Sequence, residues 1–144
     1  MPLIRAAVVG ATGYGGAEAI RLLAGHPGVE IVAATSSRLA GTPLRNECPW
    51  LDSPLVLEEF DADTLEADVV LLCQEAGFAI THAPRLAERA RVIDFSADFR
   101  LRDPSEYTRW YGREHARPEV QGVYGLPELG SRRDIAEAKL VANP

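Results

Sequence analysis

The chain has 144 residues, 47% of them hydrophobic and 25% charged, and a formal net charge of −6. That is one domain's length with a buried core, and the composition excludes disordered and fibrous classes. The acidic balance argues against nucleic acid or an anionic membrane as the main partner, and no run approaches the roughly 18–20 apolar residues of a membrane helix.

In chain order, Leu3–Val9 reads as a first strand and Tyr14–Gly25 as a helix that buries Ala19, Ile20, Leu22 and Leu23 and is ended by His26-Pro27. Glu30–Thr35 is a second strand. A polar loop with prolines follows, and Leu55–Phe60 adds a short strand. Ala67–Cys73 is a continuous apolar strand, buried on both faces. Ala76–Ala90 is helical, with Pro84 either kinking it or marking its first turn. Arg91–Phe95 is the next strand. Leu101–Gly130 is irregular apart from a short helix over Pro104–Tyr111, and Lys139–Ala142 begins a last strand. Strands alternating with helix-length stretches predict an α/β fold with a Rossmann-type, doubly wound, mostly parallel sheet.

The N-terminus enters its apolar run at once, without the basic, apolar, small-residue layout of a secretion signal. Cys48 and Cys73 stand in different segments and supply neither a disulfide framework nor a C-x-x-C site. A cytoplasmic protein without a metal site is expected.

After the first strand comes Gly10-Ala11-Thr12-Gly13-Tyr14-Gly15-Gly16. Strand, glycine turn and helix form the dinucleotide-binding arrangement: the backbone approaches a pyrophosphate closely, and the helix N-terminus offers it free N–H groups. The spacing G-x-x-G-x-x-G is a variant of the commoner pattern, weak alone but here placed between strand and helix. At the tip of the second strand, Ala34-Thr35-Ser36-Ser37-Arg38 carries hydroxyls and an arginine where NAD-binding domains usually have a carboxylate. That set suits a 2′-phosphate and favours NADP; the alternative is a polar surface turn. No G-x-x-x-x-G-K-[ST] loop is present, and Lys139, the only lysine, follows Ile135 rather than a tyrosine at that spacing, which excludes a Tyr-x-x-x-Lys pair.

A second signature, Val92 to Leu101, leaves a buried strand and presents Ser96, Asp98 and Arg100 at its carboxyl end, where ligands bind in open α/β sheets. The competing structural reading is a loop-fixing ion pair between Asp98 and Arg100.

With this run, the chain resembles the N-acetyl-γ-glutamyl-phosphate reductases of arginine biosynthesis. The resemblance rests on Gly10–Tyr14, Ser37–Gly41, Asp94–Leu101, Trp110–His115, Val123–Leu129 and Val141–Pro144, and covers essentially the whole chain in order. It implies that residues 1–144 are the NADP-binding domain of a longer protein, cut just before a Gly-Cys pair that carries the nucleophile; a second α/β domain for substrate and dimerisation would follow. On that reading the piece alone is inactive. The full-length protein would be a homo-oligomer acting on a small acyl phosphate: a thiolate attacks the acyl carbon, phosphate leaves, and hydride from NADPH reduces the thioester to an aldehyde. Gly10, Thr12, Gly13, Tyr14 and Gly15 would cradle the pyrophosphate, Ser37 and Arg38 the 2′-phosphate, and Ser96 the nicotinamide end. Arg100 is the expected anchor of the acyl phosphate, because a guanidinium matches phosphate oxygens bidentately.

Neither Cys48 nor Cys73 matches the nucleophile. His26 and His82 read as structural, and the role of His115 is open. One departure stands out: family members carry Leu-Pro-His-Gly after the fourth strand, and this chain has Gln74-Glu75-Ala76-Gly77. It keeps alive the sister reductase of lysine biosynthesis, acting on an aminoadipyl phosphate. Aspartate-semialdehyde dehydrogenase is a more distant alternative, and a stand-alone NADP-sensing or scaffold domain is the non-enzymatic one.

Overall fold

In the structure, a computed structural model that describes residues 2–144, β1 (Ile4–Val9) buries its last four residues completely on both faces, as a central parallel strand must. It feeds α1 (Tyr14–Ala24), whose buried face is Gly16, Ala17, Ala19 and Ile20. Leu22, expected in that face, is 59% exposed. At about 100° per residue it points well away from the stripe through Gly16, Ile20 and Leu23. The helix stops at Gly25, one residue before His26-Pro27.

β2 (Val29–Thr35) lies parallel to β1, from Ile4 opposite Val29 to Val9 opposite Thr35. A single turn, α2 (Leu44–Glu47), then seats Leu44 in the core. The run Leu55–Phe60, expected as a strand, forms only two isolated bridges. Val56 meets Pro43 antiparallel and Glu58 meets Thr35 parallel, so the run changes partner before either ladder can extend. β3 (Val69–Leu72) pairs parallel with β1 on its other side. Residues 1–73 form one compact unit with strand order β2-β1-β3. Its core gathers Val8, Ile20, Ala34, Leu44, Cys48 and Leu57.

Residues 74–144 form the second unit. α3 (Phe78–Leu86) is shorter at both ends than the expected Ala76–Ala90; at the first end Gly77, left-handed at φ 101°, is its N-cap, and at the other Ala87 is the C-cap. Pro84 lies inside the helix rather than at its first turn. β4 (Arg91–Asp94) follows. α4 (Pro104–Tyr111) has the expected bounds: Asp103 caps it by accepting the Ser105 N–H, Pro104 starts it, and Gly112 ends it. β5 (Val123–Tyr124) lies in the stretch read as irregular, and α5 (Arg132–Glu137) precedes β6 (Leu140–Ala142). The strand order here is β4-β6-β5, parallel throughout. Strands and helices alternate along the whole chain, so the class is α/β of the Rossmann type. Among the described residues no helix is long and apolar enough to cross a membrane.

Candidate cofactor-binding site

The turn from β1 into α1 is built for close approach. Gly10 sits at φ 88°, and its N–H and that of Ala11 both donate to the Thr35 carbonyl, at 3.2 and 2.9 Å. That pair fastens the turn to the end of β2. A Cβ added at Gly16 would lie 2.1 Å from the Gly10 carbonyl oxygen, so no other residue fits there. The N-cap, Gly13, has no side chain to cap the helix, and the first turn carries no acidic residue. The N–H groups of Tyr14, Gly15 and Gly16 precede the first intrahelical bond, Ala17 N–H to Gly13 O at 2.9 Å. They have no partner among the described residues, and Gly13, Tyr14 and Gly15 are exposed. Aligned free donors, the positive end of the helix dipole and a backbone without side-chain bulk fit a pyrophosphate.

At the tip of β2, Ser36 is buried and its N–H is spent on the Glu58 carbonyl at 2.9 Å. Ser37 and Arg38 are exposed, and the Arg38 guanidinium makes no ion pair or hydrogen bond among the described residues. This unit thus brings the glycine turn and the Ser37–Arg38 pair to the carboxyl ends of β1 and β2.

In the second unit the exit of β4 is a dense polar knot. Asp94 and Asp98 are fully buried. Asp94 accepts the Ser96 N–H and the Ser96 hydroxyl, each at 2.9 Å, and the same hydroxyl accepts the Asp98 N–H at 3.1 Å. Burial pushes the Asp94 carboxyl up to about 6; the two Ser96 bonds oppose that, neighbouring Asp98 adds to it and Arg100 offsets it. Arg100 forms no ion pair with Asp98. Its Nε donates to the Asn143 carbonyl at 2.9 Å and its Nη2 to the Phe95 carbonyl at 2.8 Å. Asp98 instead accepts from Gly77 N–H at 2.9 and 2.7 Å, Ile80 N–H at 3.1 Å and the Tyr107 hydroxyl at 2.9 Å. Burial, then the bond to Asp98, pushes Tyr107 up to about 12.

His115 packs edge-on against Phe99 and Tyr107, and its Nδ1 accepts the Arg117 N–H at 3.2 Å. The proton therefore sits on Nε2, which donates to the Asp98 carbonyl at 2.6 Å. His26 accepts the Gly28 N–H in a turn, and His82 stacks on Phe78 with its pKa lowered by burial. Cys48 is 2% exposed in the core, where burial raises its thiol pKa, and Cys73 is half-buried; neither forms a disulfide. Sequence reasoning missed the Asp98–Tyr107 bond and the grip of Asp98 on Gly77 and of Arg113 on the neighbouring Ala76 carbonyl. A carboxylate that caps a helix twenty-odd residues back in the chain leaves no local pattern.

These features define a pyridine-nucleotide-binding α/β domain. Residues 5–138 match the semialdehyde dehydrogenase, NAD binding domain family, and the chain belongs to it. It is similar to the N-acetyl-gamma-glutamyl-phosphate reductase of Nitrosococcus oceani, 48% identical over 99% of the chain and 43% of the relative. The chain therefore spans less than half the length of that curated relative. Among solved structures it is similar to aspartate semialdehyde dehydrogenase with NADP from Candida albicans. There the TM-score is 0.59 at 29% identity, over 71% of this chain and 32% of that one. Aspartate semialdehyde dehydrogenase II from Vibrio cholerae shares the fold over 99% of this chain and 42% of its own, with TM-score 0.62 and 17% identity.

Proposed function

We propose that the chain is the NADPH-binding domain of a reductase that converts N-acetyl-γ-glutamyl phosphate to N-acetylglutamate semialdehyde in arginine biosynthesis. The observation that carries this reading is the uncapped, exposed N-terminus of α1 together with a free arginine at the tip of β2; the similarity to reductases of that name supports the choice of substrate. NADPH, when bound, supplies the hydride. Gly10, Thr12, Gly13, Tyr14 and Gly15 line the pyrophosphate, Tyr14 and Gly15 with free N–H groups, Gly10 and Gly13 by the close approach that their bare backbone allows. Ser37 and Arg38 hold the 2′-phosphate, which an acidic residue in their place would repel. The Ser96 hydroxyl already donates its hydrogen bond to Asp94, so it meets a ligand only as an acceptor, which suits the carboxamide NH₂ of the nicotinamide end. Arg100 keeps Nη1 without a partner among the described residues, a donor available to the acyl phosphate. The nucleophilic cysteine comes from sequence beyond residue 144. Two free cysteines support a reducing compartment, the cytoplasm.

Loss of the guanidinium in Arg38→Ala raises the NADPH dissociation constant by about 10- to 100-fold and leaves NADH nearly unchanged, the cost of one charge-assisted contact set. Equal losses for both dinucleotides would remove the 2′-phosphate role. Turnover of the whole protein on acetylglutamyl phosphate, compared with aminoadipyl phosphate, separates the arginine reading from the lysine one.

A further inference from the structure

Tyr14 is the first residue of α1 and stands between Gly13 and Gly15. It is 100% exposed, although a tyrosine ordinarily covers part of its ring. Its ring and hydroxyl have no partner among the described residues. A single exposed aromatic is common on protein surfaces; the place of this one is not. Side chains of a helix lean towards its N-terminus, and in the first turn there is no earlier turn to lie on. The Tyr14 ring therefore overhangs the end of α1 where the N–H groups of Tyr14, Gly15 and Gly16 have no partner among the described residues.

The surroundings leave that ring free to move. Gly13, Gly15 and Gly16 carry no side chain to hold or block it. Glu18, one turn further on, is bonded to Arg21 at 2.8 and 2.6 Å, and the first turn holds no acid to compete with an anion beneath the ring. Water left around a bound phosphate would screen it from the helix N–H groups. An apolar cover excludes that water and strengthens those bonds. The cover itself gains by taking ring area out of water, and a tyrosine has few torsions to fix in doing so.

We infer that the Tyr14 ring is a flap that closes over the pyrophosphate of the bound dinucleotide and shuts water out from the N-terminus of α1. The inference rests on the dinucleotide reading above and adds a side chain to a contact otherwise made of main chain. NADPH and NADH both carry a pyrophosphate, so the flap raises affinity for the two alike. The choice between them stays with Ser37 and Arg38.

Hydroxyl-radical footprinting of the whole protein, read by peptide mass, follows the ring directly. Without ligand, Tyr14 should be oxidised ahead of Tyr111 and Tyr124, which are 38% and 44% exposed. Saturating NADPH should bring Tyr14 down to the rate of Tyr124 or below. Tyr14→Ala should raise the dissociation constants of NADPH and NADH by a similar factor, about tenfold or more for an aromatic face returned to water. It should leave adenosine 2′-phosphate, which has no pyrophosphate, bound as before, and the urea midpoint unmoved. Tyr14→Phe keeps the ring and should bind both dinucleotides within about twofold of wild type. Unchanged oxidation of Tyr14 with NADPH bound would overturn the flap and leave the cofactor reading intact. So would a Tyr14 already protected in the ligand-free protein, or a Phe variant as weak as the Ala one. Failure of the wild-type protein to bind NADPH would overturn both.

Discussion

Two helix N-termini in this chain follow a parallel strand through a short turn, and they end up opposite in chemistry. At α1 the cap is Gly13, no acid stands in the first turn, and the N–H groups of Tyr14, Gly15 and Gly16 have no partner among the described residues. At α3 the cap is also a glycine, but the Asp98 carboxylate fills the place an anion would take, bonding Gly77 and Ile80 N–H from within the protein. Both have the dipole and the donors. Only the first is left for a ligand, so vacancy, not helix polarity, marks an anion site.

The largest effect expected from breaking this contrast is that of Asp98→Ala. It strands three donors, the buried Ile80 N–H and Tyr107 hydroxyl and the half-buried Gly77 N–H. At roughly 1–3 kcal/mol for each unsatisfied buried group, the unfolding free energy should drop by at least about 3 kcal/mol. A urea titration showing under about 1 kcal/mol would mean that the carboxylate is no real stopper.

Next comes Asp94, buried like Asp98 but bonded only within its own turn. Its carboxyl is raised from 3.8 to about 6, mainly by burial. Between those values the unfolded chain ionises while the folded one holds its proton. Stability from this group is therefore fully present below pH 3.8, declines as pH rises towards about 6, and is level above that. The span is at most about 3 kcal/mol, from about 1.4 kcal/mol per pKa step. Asp94→Asn should flatten that decline in a series of urea midpoints against pH; an unchanged slope would assign the titration elsewhere.

The contrast can also be reversed by design. Gly13 has φ −75° and ψ 164°, open to any residue, and an added Cβ meets only the Gly10 carbonyl oxygen at an ordinary 3.6 Å. Gly13→Asp should cap α1 as Asp98 caps α3, gaining about 0.5–1 kcal/mol of stability. The same carboxylate occupies the place proposed for the pyrophosphate, so on that proposal NADPH binding should weaken at least about a hundredfold, or about 2.7 kcal/mol. Calorimetric unfolding and NADPH titration on one sample test both signs, and a stable variant that still binds would move the phosphate off this helix.

What could be read in the sequence follows from how local each cause is. The bounds of α4 are set by Asp103, Pro104 and Gly112, all within or beside the helix, and the expectation matches. The open site at α1 was likewise legible, because glycines and the missing acid are local. Leu22 departs from the expected face of Ala19, Ile20, Leu22 and Leu23 because angular position on the helix, not apolar character, decides which residue is buried. Leu55–Phe60 went wrong because β-rich composition does not reveal a change of partner midway. The stopper at α3 was illegible for a third reason: local sequence offers Asp98 and Arg100 a ligand or, alternatively, each other, whereas Asp98 turns to the distant Gly77 N–H and Arg100 to the Asn143 and Phe95 carbonyls.

The smallest expected effect lies at the joint between β2 and the glycine turn. Thr35 does two separable things. Its carbonyl fastens Gly10 and Ala11, which any residue could do. Its hydroxyl, in a side chain 1% exposed, is the buried side-chain oxygen without a hydrogen-bond partner among the described residues. An unpaired buried hydroxyl costs more than it returns, and a methyl of the same shape carries no such cost. Thr35→Val should therefore raise stability by up to about 1 kcal/mol and leave NADPH affinity unchanged. A loss of affinity with stability intact would show that the hydroxyl finds its partner in the bound dinucleotide, and that the vacancy at α1 extends one residue deeper, into the end of β2.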